Sequence, residues 1–354
     1  MTDIVVIGAG MAGLVCAQQL SQAGYSVVII EKSRGLGGRL ATRRLHETWA
    51  DHGTCYLKPK GELFKSLVEL LGDRHILEVW TDTVYELAPD TPLSEPKNRS
   101  PRYTAPAGMS AIAKFLAQDL NILLNERVTA INLTAENNWR IILESNNEEL
   151  TAKALVFAIP APQALSILAP LGEDVLGKEF LDNLSSVEFY PCISAIAGYL
   201  PIAQPLPHWK ALSFIDDPIL GWIGLDSSKR PNPQQPVFVL QSSPNFAQSN
   251  LDSPDLQPVG QQMLQHAAQL LELPWLNTPQ WIQVHRWRYA FPSHPWGETI
   301  LSADSLPPLV CCGDWCGGNL VEGAMLSGLG ASVEINNQLQ QLLLPRMNFL
   351  KVFT

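Results

Sequence analysis

Apolar residues recur along the chain at two different spacings. Asp3-Ile-Val-Val-Ile-Gly8 and Ser26-Val-Val-Ile-Ile-Glu31 are short, unbroken apolar runs, the mark of strands buried on both faces. Between them, Met11–Ala23 carries helical spacing and stops at Gly24, a residue suited to a left-handed C-terminal cap. The pattern predicts strand, tight turn, helix, parallel strand. Residues 33–58 read as a Gly- and Arg-rich loop region, 61–71 as an amphipathic helix, 90–101 as a Pro/Ser/Asn-rich surface loop, and 109–120 as a helix. A strand is expected over 127–133. Residues 138–145 and 150–158 then suggest a meander that re-enters the sheet at 154–158.

From 161 to 300 the character changes. Proline is frequent, strands look short, tryptophans recur, and 226–258 is rich in Pro, Ser, Asn and Gln. Residues 308–341 return to strand, Gly-rich turn and long helix. The reading is an α/β chain of two discontinuous domains: 1–58, 106–160 and 301–354 form a nucleotide-binding domain, and 59–105 with 161–300 form a β-rich substrate domain capped by helices.

The bulk properties narrow the function. With 354 residues, 46% of them hydrophobic and 16% charged, the chain can bury a sizeable core. The formal charge of −10 opposes nucleic acid and anionic membranes, and an anionic substrate would need a local basic pocket. The six cysteines, Cys16, Cys55, Cys192, Cys311, Cys312 and Cys316, form no paired CxxC, so neither a metal site nor a disulfide is expected. The apolar stretch 4–20 lacks a basic leader and is broken by glycines. The stretch 155–171 is interrupted by Pro160, Pro162 and Pro170. Cytoplasm is the default expectation.

The densest chemical signal is Gly8-Ala9-Gly10-Met11-Ala12-Gly13. Gly8 permits a tight turn, Gly10 lets the backbone approach a pyrophosphate, and Gly13 seats the helix against the strand. The helix N-terminus at Met11 and Ala12 faces the phosphates, and Glu31, at the end of the second strand, is placed to accept from ribose hydroxyls.

Two further segments carry a resemblance. Glu31-Lys32-Ser-Arg-Gly-Leu-Gly37-Gly38-Arg39 resembles the second fingerprint of amine-oxidase-like flavoproteins, and Gly313-Asp314-Trp315-Cys316-Gly317-Gly318-Asn319-Leu-Val-Glu322-Gly323-Ala324 resembles their Gly-Asp motif. The resemblance implies noncovalent FAD in a Rossmann-type, p-hydroxybenzoate-hydroxylase-like fold. Lys32, Gly37, Gly38 and Arg39 would meet the adenosine and pyrophosphate, and Asp314 the ribitol. Cys55, Tyr56, Val128, Gly313, Glu322, Gly323 and Ala324 would lie around the cofactor. Cys316 sits where monoamine oxidases do not place their linking cysteine.

Ala50-Asp51-His52-Gly53-Thr54-Cys55-Tyr56, Asp226-Ser-Ser-Lys229-Arg230 and Arg286-Trp287-Arg288 resemble the renalase branch of that group. Renalases commonly carry a glutamine where this chain has Cys55. The branch implies oxidation of the 2- and 6-dihydro isomers of NAD(P)H, with hydride passing to flavin N5 and dioxygen becoming hydrogen peroxide. No nucleophile–His–carboxylate triad is evident, and none is required. His285, Arg286, Trp287 and Arg288 are the candidate substrate wall. Alternation places both arginines opposite Trp287, as in a strand with one core Trp and two surface Arg. His52 reads as structural. The rival readings are another oxidase or desaturase of the same fold, and a non-enzymatic protein like the GDP-dissociation inhibitors. The intact glycines, Glu31, Arg39 and Asp314 argue against the latter.

Overall fold

The computed structural model describes residues 1–354 except 90, 146–148, 202–204, 319 and 354. Its first layer is an eight-stranded sheet. Leu309–Cys311, Glu149–Phe157, Thr2–Ile7, Val27–Glu31 and Asn121–Leu124 run parallel in that order. Trp139–Leu143 and Val128–Leu133 add an antiparallel flap, and Leu301–Ser302 closes the other edge.

Period-2 alternation divides this sheet's core. Ile4, Val6, Ile29, Val156 and Val310 face the helices Met11–Ala23, Glu62–Asp73, Ser110–Leu116 and Leu320–Gln338. Val5, Ile7, Ile30, Leu155 and Phe157 face Trp139 and the helices of 161–185. The helix Met11–Ala23 ends as expected on Gly24 in the left-handed region, with φ 108°.

The second layer is a six-stranded sheet ordered Trp281–Pro292, Phe189–Gly198, Val237–Ser242, Leu220–Leu225, Ala211–Phe214, Tyr85–Leu87, antiparallel but for the last pair. One face carries Ile193, Ala195, Phe238 and Leu240 and packs under the helix Gln257–Leu270. The other carries Ile196, Val239 and Trp222 and packs against Ala50, Cys55 and Trp80.

Four readings from sequence change. Residues 33–58 are not all loop, because Thr42–Leu45 and Thr48–Asp51 pair as an antiparallel hairpin. The helix placed at 109–120 ends at Leu116, and the strand Asn121–Leu124 follows it. The strands of the second layer are not all short: Phe189–Gly198 and Trp281–Pro292 have 10 and 12 residues. Finally, helices at 62–73 and 161–185, placed with the second domain from sequence, contribute their apolar faces to the two cores that flank the first sheet. Asp90, in the proposed loop 90–101, lies outside the described residues.

Candidate active site: a basic cleft between the two sheets

The N-terminal glycines occupy positions that other residues could not. A Cβ on Gly8, whose φ is +107°, would meet the Ala158 carbonyl oxygen at 2.6 Å, and one on Gly13 would meet the Gly8 oxygen at 2.0 Å. A Cβ on Gly10 would meet nothing within 4 Å, so the cradle at the helix N-terminus is open. That helix has no side-chain cap and no acid in its first turn. Its first N–H groups are donors awaiting acceptors, which fits a pyrophosphate. Glu31 is buried beside it, accepting from the Ala9 N–H at 2.9 Å and the Ser33 N–H at 2.8 Å. The carboxylate thus fixes both loops of the cradle and keeps lone pairs for a ribose.

The second and third motifs meet each other. The Arg39 guanidinium holds the buried Asp314 carboxylate in a bidentate pair at 2.7 and 2.5 Å and donates to the Ala290 carbonyl at 2.9 Å. The expected pyrophosphate and ribitol partners are therefore paired with one another, 275 residues apart in sequence. The Glu322 carboxylate accepts from the Lys60 and Gly61 N–H groups, so it anchors the start of the helix Glu62–Asp73. Asn319 lies outside the described residues.

Gly8, Gly10, Met11, Ala12, Glu31, Lys32, Gly37, Gly38, Arg39, Cys55, Tyr56, Gly313, Asp314, Glu322, Gly323 and Ala324 all border one cleft of about 2290 Å³. Gly13 lies behind it, in helix–strand contact. Val128 departs from expectation: it does not border the cleft, because its side chain is buried among Ile131, Trp139 and the apolar core of the first sheet. Cys316 is also buried away from the cleft, its thiol pushed up to about 12 by burial.

The far wall comes from the six-stranded sheet. On its edge strand, Gln283, His285 and Trp287 pair opposite Ile196, Ser194 and Cys192, which puts them on one face. Arg286 and Arg288 border the cleft, but their heads are engaged elsewhere. Arg286 donates to the Ser253 carbonyl, and Arg288 pairs with Asp252 at 2.8 Å. The two arginines alternate with Trp287 as weighed from sequence, but Trp287 is half-buried at the cleft and not a core residue.

Sequence reading missed what lies across from this wall. The residues after the hairpin are pinned to the sheet: the His52 carbonyl accepts from Trp287 Nε1 and Ser194 Oγ, and the Gly53 carbonyl from Gln241 Nε2. His52, His285 and Trp287 form a ring cluster with centroids 4.5–5.1 Å apart. Burial, reinforced by Arg43, pushes the imidazoles down to about 3 and about 4, so both are neutral at pH 7. His52, read as structural from sequence, borders the cleft. The hairpin that brings Arg43 and His52 here was hidden by its arginine-rich composition.

Behind the cleft sits a fully buried ion cluster. Asp51 and Asp226 are each paired with both Lys229 and Arg230 at 2.5–3.3 Å. Asp51 also accepts from Thr42 and from the Met109 N–H. Two of the motifs resembling renalases thus meet as a four-charge clamp joining hairpin, second sheet and helix Ser110–Leu116. Among the described residues, no group of three or more His, Cys, Asp or Glu is placed to hold a metal ion. No helix among them is long and apolar enough to cross a membrane.

The charge of the cleft opposes that of the chain. Ten Lys and Arg residues border it against four Asp and Glu, whereas the whole chain carries −10. Of the four acids, Glu31, Asp314 and Glu322 are already engaged.

Comparison with known proteins places this architecture. Residues 6–70 match the model of an NAD(P)-binding Rossmann-like domain, and residues 93–336 match that of the flavin containing amine oxidoreductases. The chain is 36% identical over 67 residues to an L-amino acid dehydrogenase of Synechocystis sp., a match covering 19% of this chain and 14% of that protein. It is 36% identical over 66 residues to an L-amino-acid oxidase of Crotalus adamanteus, covering 19% and 13%. Among solved structures, a putrescine oxidase bound to putrescine superposes with TM-score 0.71 at 14% identity, covering 95% of this chain and 99% of that one. Cyclohexylamine oxidase from Brevibacterium oxydans gives 0.69 at 15%, covering 96% and 99%. These structural likenesses are of fold. By the extent of the family match, the chain belongs to the flavin containing amine oxidoreductases, whose cofactor is FAD.

Proposed function

We propose that this chain is an oxidoreductase with noncovalent FAD that oxidises 2- and 6-dihydro isomers of NAD(P)H. The observation that carries the reading is the basic cleft in an acidic protein. Its volume also exceeds what one drug-sized ligand fills, roughly 300–1,000 Å³, which leaves room for a second nucleotide beside the cofactor. An ammonium substrate would enter against this potential, and a phosphate-bearing one along it.

In this reading the free N–H groups at Met11 and Ala12 hold the cofactor's pyrophosphate and Glu31 its adenosine ribose. The Arg39–Asp314 pair fixes the backbone around the flavin. FAD supplies, when bound, a hydride acceptor at N5 and electrons for dioxygen, which leaves as hydrogen peroxide. The remaining work falls to the wall. Trp287 offers a face for a planar ring, while neutral His52 and His285 add no charge beside it. A dihydropyridine that loses hydride becomes aromatic without losing a proton, so the wall needs no general base. Orientation and exclusion of water suffice.

A second reading is oxidation of an L-amino acid, as the named relatives suggest. The basic cleft would take the carboxylate of such a substrate. Anaerobic mixing of the flavin-loaded protein with each dihydronicotinamide isomer, ordinary NADH, L-amino acids and simple amines separates the readings by which donor bleaches the flavin fastest. Fastest bleaching by either isomer supports the proposal. Fastest bleaching by an amino acid, an amine or NADH overturns it.

A further inference from the structure

We infer that Arg43 and Gln283 form the acceptor-binding half of a ring subsite whose stacking face is Trp287, and that this subsite selects planar ligands bearing a carbonyl or other oxygen acceptor over ligands bearing an ammonium. The inference rests on reading the cleft as the substrate site. It specifies which side chains recognise the reacting end.

Arg43 lies on the hairpin strand Thr42–Leu45, and Gln283 on the edge strand two residues before His285. Arg43 Nε donates to Gln283 Oε1 at 3.3 Å across the gap. That bond uses the amide oxygen of Gln283, which leaves its NH₂ group as a donor at the border of the cleft. The two terminal nitrogens of Arg43 hold no hydrogen bond or ion pair among the described residues. Arg43 therefore presents N–H donors and a positive charge to the cleft.

Glu47, at the hairpin turn, borders the same cleft, but no ion pair joins it to Arg43 among the described residues. Asp51, the carboxylate nearest His52 in sequence, is spent on Lys229 and Arg230. The same guanidinium contributes to keeping His52 and His285 unprotonated, and the two imidazoles pack against the Trp287 ring at 5.1 and 4.5 Å. A ring on Trp287 would place its substituent against Arg43 and the Gln283 amide. A primary carboxamide satisfies such a corner through its oxygen, and an ammonium meets the Arg43 cation.

Two small probes without a nucleotide isolate this corner: benzamide and benzylamine, the latter an ammonium at pH 7. Each is titrated into the FAD-loaded protein and followed by perturbation of the flavin spectrum. Benzamide should bind at least about tenfold tighter than benzylamine, and Arg43→Gln should remove most of that preference by weakening benzamide alone. Arg43→Lys, which keeps the charge and loses the fork, should fall between. In Arg43→Gln the imidazole NMR titrations of His52 and His285 should move to higher pH, and in Arg43→Lys they should stay in place. Loss of benzamide preference in Arg43→Lys without that movement reports the fork and not the charge. Equal binding of the two probes to the parent protein, or undiminished preference for benzamide in a flavin-loaded Arg43→Gln, would overturn the inference. These probes do not report which dinucleotide is oxidised. Failure here with rapid reduction by a dihydronicotinamide isomer leaves the proposed reaction standing, and the converse result removes the reaction and keeps the corner.

Discussion

The two ends of the cleft are built by opposite means. At the nucleotide end, backbone does the work. Gly8 and Gly13 are fixed because a Cβ at either would meet backbone oxygen at 2.6 and 2.0 Å, the helix offers uncapped N–H groups, and one carboxylate, Glu31, ties two neighbouring loops. At the ring end, side chains from three distant segments do the work: 43–56 from the hairpin and its exit, 241 from one strand and 283–287 from another. The first arrangement recognises what all dinucleotides share. The second can change its ligand by exchanging a few side chains on an unchanged sheet. Such a division suits a family in which one fold serves many substrates.

The comparison can be broken at several points. The largest effect belongs to Gly13→Ala, whose new methyl would overlap the Gly8 carbonyl. It should cost at least about 4 kcal/mol and abolish flavin retention, read by thermal unfolding and by flavin content after gel filtration. A stable, fully loaded variant would show that the backbone end is more plastic than argued. Next is Asp226→Ala, which strips one acid from the clamp behind the ring end and leaves Lys229 and Arg230 sharing Asp51. An uncompensated buried charge predicts a loss of about 3–5 kcal/mol in urea unfolding, and an unchanged midpoint would refute the clamp.

Glu31→Ala should weaken FAD binding by about 1–3 kcal/mol in titrations of the apoprotein, since it removes an ionised acceptor from two backbone donors as well as from the ribose. Equal affinity would remove Glu31 from the site.

A further effect is on pH. His52 and His285 titrate in the folded chain at about 3 and about 4, below the ordinary histidine value of 6.5. As pH falls below 6.5 the unfolded chain takes up these protons first. Stability is therefore full above that pH and is lost progressively toward pH 4. The urea midpoint should follow this slope, and His285→Gln should flatten part of it. A parent profile flat between pH 6.5 and 4 would show that the imidazoles are not buried beside Arg43.

These two ends also differ in how far sequence reveals them. Residues 2–31 were legible because everything that shapes them is local: apolar runs, a glycine cap, and a turn whose glycines are spaced by its own geometry. The Arg39–Asp314 pair was half legible. Both residues stood in motifs, yet nothing in either motif says that they bind each other rather than the cofactor. Val128 was misplaced because strand position alone does not say which face a side chain takes. Alternation did place Arg286 and Arg288 opposite Trp287, but Gln283 went unread, because the face that meets the cleft depends on register with Phe189–Gly198 and on the hairpin lying opposite. His52 was invisible as a cleft residue, since its carbonyl contacts and its ring neighbours come from residues more than 140 positions away.

The central claim is that the charge of the cleft selects an anionic donor. It is tested most directly by the second-order rate constant for anaerobic flavin reduction by 2- or 6-dihydroNAD(P), measured against ionic strength. Attraction between a phosphate-bearing donor and the basic cleft predicts a rate constant that falls steadily as salt screens the field. A rate constant that is flat or rises with salt, or a simple amine that reduces the flavin faster at low salt, would contradict it.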